Sequence, residues 1–387
     1  MTLKIEPLFN DAFTGEPPAK RAVGYIQTER EKGKRVAGIY CGYAPLELFY
    51  AMDIIPAVLC AFANATIEKA ESVLPANLCP LIKSSYGFIE MDTCPFYGFS
   101  DVVVGETTCD GKKKMFELIS EKKPTHIMDL PQLPDEKEAL NNWTVMITKL
   151  KSFLEKTFNV KASNDDIEKA IKENNKKNEL VKKILEFSAL PNPVMSWAEM
   201  HDVIFLSTPG RGNTINSELE KVIAGLEDRV KQGYIYGSKG APRILITGCP
   251  TAGDAAKVYK IIEESGAVIV GIDSCVGLKP FAEKVVEDTA EPLRAIAERY
   301  LKIPCACMTP NNRRLEELDK LIDFYKPDAV VDIVLQACHG YNVESHKTGR
   351  HVMEKRKIPF LKIVTDYSQG DAGQIKTRIE ALLESIK

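Results

Sequence analysis

Ten cysteines in a chain of 387 residues are the side chains here most able to do chemistry. A thiolate binds soft metals and attacks electrophiles. In a reducing compartment abundant cysteine points to metal or redox work rather than to structural disulfides. The competing reading for any one of them is a small buried apolar residue. Position separates the two. Cys41 ends the apolar run RVAGIYC, and Cys109 lies just past DVVVG. Cys249 follows RILITG, Cys275 follows AVIVGID, and Cys338 lies past DAVVDIV. Cys79 sits in the loop LPANLCPLIKSS, and Cys305 and Cys307 in KIPCACMTP. Open α/β sheets bind ligands at the carboxyl ends of their strands. Cysteines placed there are biased toward a shared cleft.

The spacing then narrows the metal. Zinc sites draw cysteine in tight CxxC pairs, and this chain has none; Cys305 and Cys307 come nearest. Single cysteines, one per loop, suit an iron–sulfur cluster, whose thiolate ligands and surroundings set its potential. Lys112, Lys113 and Lys114 follow Cys109 after Asp110 and Gly111 and could offset the charge of a reduced cluster, unless they are an exposed first helical turn. Cys60, in the apolar run PAVLCAFA, reads as a core thiol. Cys94, in MDTCPFYGF, is left unassigned, and Cys249, in a Gly-Cys-Pro turn, reads as structural as readily as a ligand.

The elements that must hold these residues alternate. RVAGIYC, DVVVGETTC and THIMDL read as strands, with LELFYAMDI and MFELISEKK as helices between them. That βαβ order implies a parallel sheet covered by helices. From 134 to 240 the pattern turns helical: DEKEALNNWTVMITKLKSFLEKTF, NDDIEKAIKENNKKNELVKKILEFSAL and SELEKVIAGLEDRVKQG. Asn164 or Asp165 is a plausible N-cap, and the run KENNKKNELVKK reads as a solvated helix face. From 241 to 387 RILITG, AVIVGID, DAVVDIV and PFLKIVTD are strands separated by helices. The expectation is an α/β fold of two Rossmann-like parallel-sheet domains, 1–133 and 241–387, joined by a helical segment, 134–240. The two halves read as distant structural copies.

Composition excludes several classes. Apolar residues are 44% and charged residues 27%, with net charge −3, so nothing suggests a nucleic-acid surface. No apolar run reaches the ~20 residues needed to span a bilayer. MTLKIEPLFNDAFTGEPPAKR lacks an apolar signal core, so a cytoplasmic protein is expected. TPGRGN and ITGCPTAGD lack GxGxxG spacing, and Pro250 removes a donor from the turn, which argues against a dinucleotide.

NLCPLIKSSYGF, ETTCDGKKKMFELI, IDSCVGLKPFAE, ERYLKIPCACMTPN, VLQACHGYNVES and TDYSQGDAGQIKTRIEALLE resemble the 2-hydroxyacyl-CoA dehydratase and benzoyl-CoA reductase family, from about Lys34 onward. The resemblance implies that Cys79, Cys109 and Cys338 are ligands of a [4Fe–4S] cluster. It also implies an ATP-hydrolysing iron–sulfur activator that injects electrons, since this chain has no GxxxxGK[ST] loop of its own. Cys41, where dehydratases tend to carry a small hydroxylic residue, and IPCACM add thiols. The set is then similar to that of the double-cubane cluster proteins, a branch of the family that forms homodimers and holds an [8Fe–9S] cluster on six cysteines. Cys41, Cys275 and one of Cys305 or Cys307 would complete it.

The leading expectation is an ATP-dependent reductase of small molecules acting through its partner. His339 and Glu106 are candidate groups around the cluster, each also readable as a structural hydrogen-bonding residue. The alternatives are a 2-hydroxyacyl-CoA dehydratase subunit with one [4Fe–4S] cluster, a non-catalytic electron carrier or cluster scaffold, and a zinc-stabilised α/β protein.

Overall fold

The computed structural model describes residues 18–386. Two four-stranded parallel sheets, each flanked by helices, give an α/β architecture. The first contains β1 (Arg35–Ile39), β2 (Ile54–Val58), β3 (Val102–Glu106) and β4 (Thr125–Met128), in the order β2-β1-β3-β4. The second contains β5 (Arg243–Gly248), β6 (Val268–Asp273), β7 (Ala329–Leu335) and β8 (Phe360–Thr365), in the order β6-β5-β7-β8. The two orders are the same. β3, β6 and β7 are buried along their whole length, as expected where helices cover both faces of a sheet.

β2 was not anticipated, because Pro56 inside IIPAV argues against a strand. It lies at the sheet edge, paired only through β1, where Pro56 faces Ala37 and a missing N–H costs little. The helix Trp197–Ser207 was also unanticipated; Ser196 and Glu199 close a capping box at its start.

Between the sheets run the long helices Ala139–Phe158, Asn164–Glu186 and Gly212–Lys231. The N-cap of the second is Ser163, one residue before the expected pair, in a capping box with Asp166. The expected solvated face of that helix is corrected by the structure. Asn174, Asn175, Lys177 and Asn178 are buried, while Lys172, Lys176 and Glu179 stay outside. The polar run sits between helix Leu46–Ala51 and helix Gly212–Lys231, so it is an internal face rather than a wet one.

The largest core cluster joins the halves. It runs from Ala37 and Val104 in the first sheet through Trp143 to Val334 and Tyr367, and it includes Cys79, Cys249 and Cys305.

Candidate metal centre

In each sheet the chain leaves the central strand toward opposite edges, and the crevice at that switch point is where ligands enter such folds. The cysteines follow this rule twice. Cys41 follows β1, Cys60 follows β2 and Cys109 follows β3; Cys249 follows β5, Cys275 follows β6 and Cys338 follows β7. Corresponding loops of the two sheets thus carry cysteine at nearly the same offset from the strand.

Local geometry fixes several of these thiols. Cys79, Cys109 and Cys338 are the N-cap residues of helices Pro80–Glu90, Asp110–Ser120 and His339–Arg350, and none of them caps with its own side chain. Their sulfurs stand at the positive ends of three helix dipoles, which favour an anion. Ala337, just before Cys338, holds φ +58°, a left-handed conformation that a non-glycine residue adopts only under constraint. Gly248, before Cys249, is at φ +114°, and a Cβ there would meet the Ile333 carbonyl oxygen at 2.2 Å.

The thiols meet in two groups. Cys41 is hydrogen-bonded to Cys275, and Cys305 to Cys307. The charge of Cys305 acts on both Cys41 and Cys275. Separately, Cys338 is hydrogen-bonded to Cys79 and to Cys249, and Cys109 is near enough to Cys79 for their charges to interact. Cys109 also feels Cys305, so the groups adjoin. Cys79, Cys249 and Cys305 are buried, Cys41, Cys275, Cys307 and Cys338 partly so, and Cys109 is exposed. Among the described residues no three His, Cys, Asp or Glu side chains are gathered as a cage for a single ion. The thiols are arrayed across a wider space.

Not every cysteine faces that space. Cys94 accepts a hydrogen bond from the Tyr97 backbone N–H and caps a short helix. Cys60, expected in the core, is only partly buried; it donates to the Tyr40 carbonyl at 2.8 Å and lines the cavity beside Cys41. Cys249 was held as an open case, and its contact with Cys338 puts it at the edge of the set.

Cations are buried among the thiols. Burial works to lower the Lys112 amine, and Cys41, Cys60, Glu106 and Cys109, wherever they ionise, raise it and favour the ammonium. Lys113 and Lys114, in contrast, are exposed and pair with Asp110 and Glu117. On the other side Lys279 is buried between Asp273, at 3.7 Å, and the Tyr341 hydroxyl, at 3.1 Å. The thiols are shifted in opposite directions: Cys305 is brought down to about 5, first by its hydrogen bond to Cys307, while others are raised. A hydrogen bond to Cys338 and then burial push Cys79 well up, and a hydrogen bond to Cys275 and then burial do the same for Cys41.

Glu106 ends β3 fully buried, and neither carboxylate oxygen has a hydrogen-bond partner. Burial, then the charge of Cys41, push it well above the carboxylate range, so it is a neutral acid. His339 lies exposed in the first turn beside Cys338. No helix among the described residues is long and apolar enough to cross a membrane.

The model of the 2-hydroxyglutaryl-CoA dehydratase D-component family matches residues 41–386. A putative dehydratase subunit, YjiM, of Escherichia coli is 40% identical over 362 residues, covering 92% of this chain and 93% of that protein. The beta subunit of (R)-2-hydroxyglutaryl-CoA dehydratase of Acidaminococcus fermentans is 21% identical over 379 residues, covering 92% and 94%. A match of this extent to the family and to a relative of nearly equal length is decisive: the chain belongs to the 2-hydroxyacyl-CoA dehydratase family.

Proposed function

We propose that this chain is an iron–sulfur protein whose cysteines hold an [8Fe–9S] double cubane, reduced by an ATP-hydrolysing activator and used to reduce small molecules at low potential. The observation that carries the reading is the division of the thiols into two adjoining groups. Cys79, Cys109 and Cys338 would serve one cubane, and Cys41, Cys275 and Cys305 the other. Cys305 is preferred over Cys307 because it is buried and its charge acts on Cys41, Cys275 and Cys109, while Cys307 also contacts the Tyr43 hydroxyl at 4.0 Å. Three helix N-termini and the ammonium of Lys112 supply positive potential for an anionic cluster. The protein's part is burial, orientation and protons, while the metal carries the difficult chemistry.

A second reading has its own support. The family description is that of a dehydratase component, and the three N-cap cysteines alone suffice for one [4Fe–4S] cluster with an iron open to a 2-hydroxyacyl-CoA. Iron and acid-labile sulfide, measured after anaerobic purification, separate the readings. The double cubane predicts about eight iron per chain, with about half lost in Cys41→Ser. About four iron, unchanged in Cys41→Ser, would overturn it in favour of the dehydratase. Homodimerisation and an activator partner are part of the same proposal; sedimentation and ATP-dependent reduction of the cluster test them.

A further inference from the structure

Opposite Cys41 and Cys275, across a cavity of about 140 Å³, stand Asn174, Lys177 and Asn178 of helix Asn164–Glu186. The volume is room for about five waters, enough for a molecule of a few heavy atoms. Lys112 and Cys60 lie on the thiol side, and Tyr300 and Thr208 complete the wall. This polar face is held rigidly. Lys177 Nζ donates to the Tyr50 hydroxyl at 2.6 Å, and that hydroxyl donates to the Thr208 carbonyl at 2.7 Å. Asn174 Nδ2 donates to Glu47 at 2.7 Å, and Tyr300 donates to the other Glu47 oxygen at 2.9 Å. The Asn174 Oδ1 atom is buried with no partner. A buried amide oxygen left unpaired costs about 1–3 kcal/mol unless something donates to it.

We propose that this cavity takes a small polar molecule bearing both a hydrogen-bond donor and an acceptor, and that Lys177 delivers a proton to it as it is reduced at the thiol centre. The donor meets Asn174 Oδ1, and the acceptor meets the Lys177 ammonium. This rests on the reductase reading above and names its substrate class and proton source. Geometry makes Lys177 suitable, since it lines the cavity and is anchored by Tyr50. Its titration agrees: burial brings the amine down to about 7, with Glu47 opposing, so it can give and regain a proton near neutrality. Glu47 is the charge that acts on it; Tyr300 lines the same pocket and Tyr50 anchors the amine, both as neutral phenols, with Arg299 on the cavity wall and Arg211 hydrogen-bonded to the Tyr50 carbonyl.

Hydroxylamine is a probe of the right size and polarity. With two electrons supplied through the activator, its N–O bond would break. The oxygen takes the Lys177 proton and leaves as water, and the nitrogen takes a proton from solvent to become ammonia. Lys177 is then reprotonated from solvent.

The test combines turnover with a readout that needs no cluster. Loaded wild-type protein, with activator and ATP, should form ammonia at a rate that falls above pH ~7. Lys177→Met should keep its iron, lose that alkaline limb and slow by about 10²-fold or more. Tyr50→Phe, which keeps the amine but removes its anchor, should move the limb to lower pH. In cluster-free protein with 13Cε-lysine, one resonance should titrate near pH 7 and be missing from Lys177→Met. An unchanged pH profile in loaded Lys177→Met, no lysine titrating below pH 9, or no ammonia from loaded wild-type protein each overturns this proposal. Absence of iron from anaerobic wild-type protein instead defeats the reductase reading, a result the lysine titration does not share.

Discussion

Single residues in this protein are displaced from their ordinary chemistry by where they are buried. Glu106 is the plainest case, a carboxyl with no partner at the end of β3. Its folded-state value lies well above the 4.5 of an exposed glutamate. Between those two values the folded chain keeps a proton that the unfolded chain has released. Stability must therefore be highest below pH ~4.5 for this group and fall as pH rises, by at most about 1.4 kcal/mol per unit. Urea midpoints of cluster-free wild-type protein and Glu106→Gln, compared from pH 5 to 8, should diverge, the wild type losing ground with rising pH. Parallel curves would mean that Glu106 is ionised in the fold. The sequence singled out Glu106 by its place before TTC, but not its isolation. Its lack of a partner shows only once the sheet and its covering helices are assembled, which no local pattern conveys.

At the scale of elements, what was legible followed hydrophobic period and what was missed followed partners. Seven of the eight strands were readable as apolar runs, because buried parallel strands need apolar residues on both faces. β2 was hidden by Pro56, whose tolerance depends on an edge that exists only once the sheet is built. The polar face of helix Asn164–Glu186 was misread for the same reason: KENNKKNELVKK has the composition of a wet surface, and only the docking of helices Leu46–Ala51 and Gly212–Lys231 makes it internal. Asn175 shows what such a face does. Its Nδ2 donates to the Val285 carbonyl and to Glu287, both at 2.8 Å, and its Oδ1 accepts from the Val285 N–H at 3.1 Å. The side chain thus acts as a strand-like partner for a loop that has none. Asn175→Ala strands both backbone groups of Val285 and should cost about 2–3 kcal/mol in urea unfolding, by the usual cost of buried unpaired groups. Ser163→Ala, which removes only the N-cap of the same helix, should cost about 1 kcal/mol. If the two variants were equal, the loop would be held by something other than Asn175.

The whole molecule is built from two sheets of identical strand order, and its chemistry lies where they are unequal. Cys60 and Cys275 both stand two residues beyond the second strand of their sheet. Their surroundings differ. Cys60 donates its S–H hydrogen bond to the Tyr40 carbonyl. Cys275 faces Cys41 and the field of Cys305, with Lys279 and Lys112 near. Repetition therefore does not make the two positions equivalent; the loop that follows each strand decides which way the sulfur points. Sequence position alone placed thiols at the strand ends, and it could not say which ones turn inward. A matched pair of variants tests this at the scale of the fold. Cys60→Ser should leave iron and sulfide content unchanged, because its sulfur is already engaged by the backbone. On the double-cubane proposal Cys275→Ser should lose about half of the iron, because one cubane would lack a ligand. Because a cluster bound to both halves stabilises only the folded chain, removing it with a chelator should lower the Tm of Cys60→Ser as much as that of wild-type protein. The drop should be smaller in Cys275→Ser, which has less cluster to lose. Equal iron loss in both serine variants would mean that the two halves contribute their second-strand cysteines symmetrically, and the division into two thiol groups would have to be redrawn.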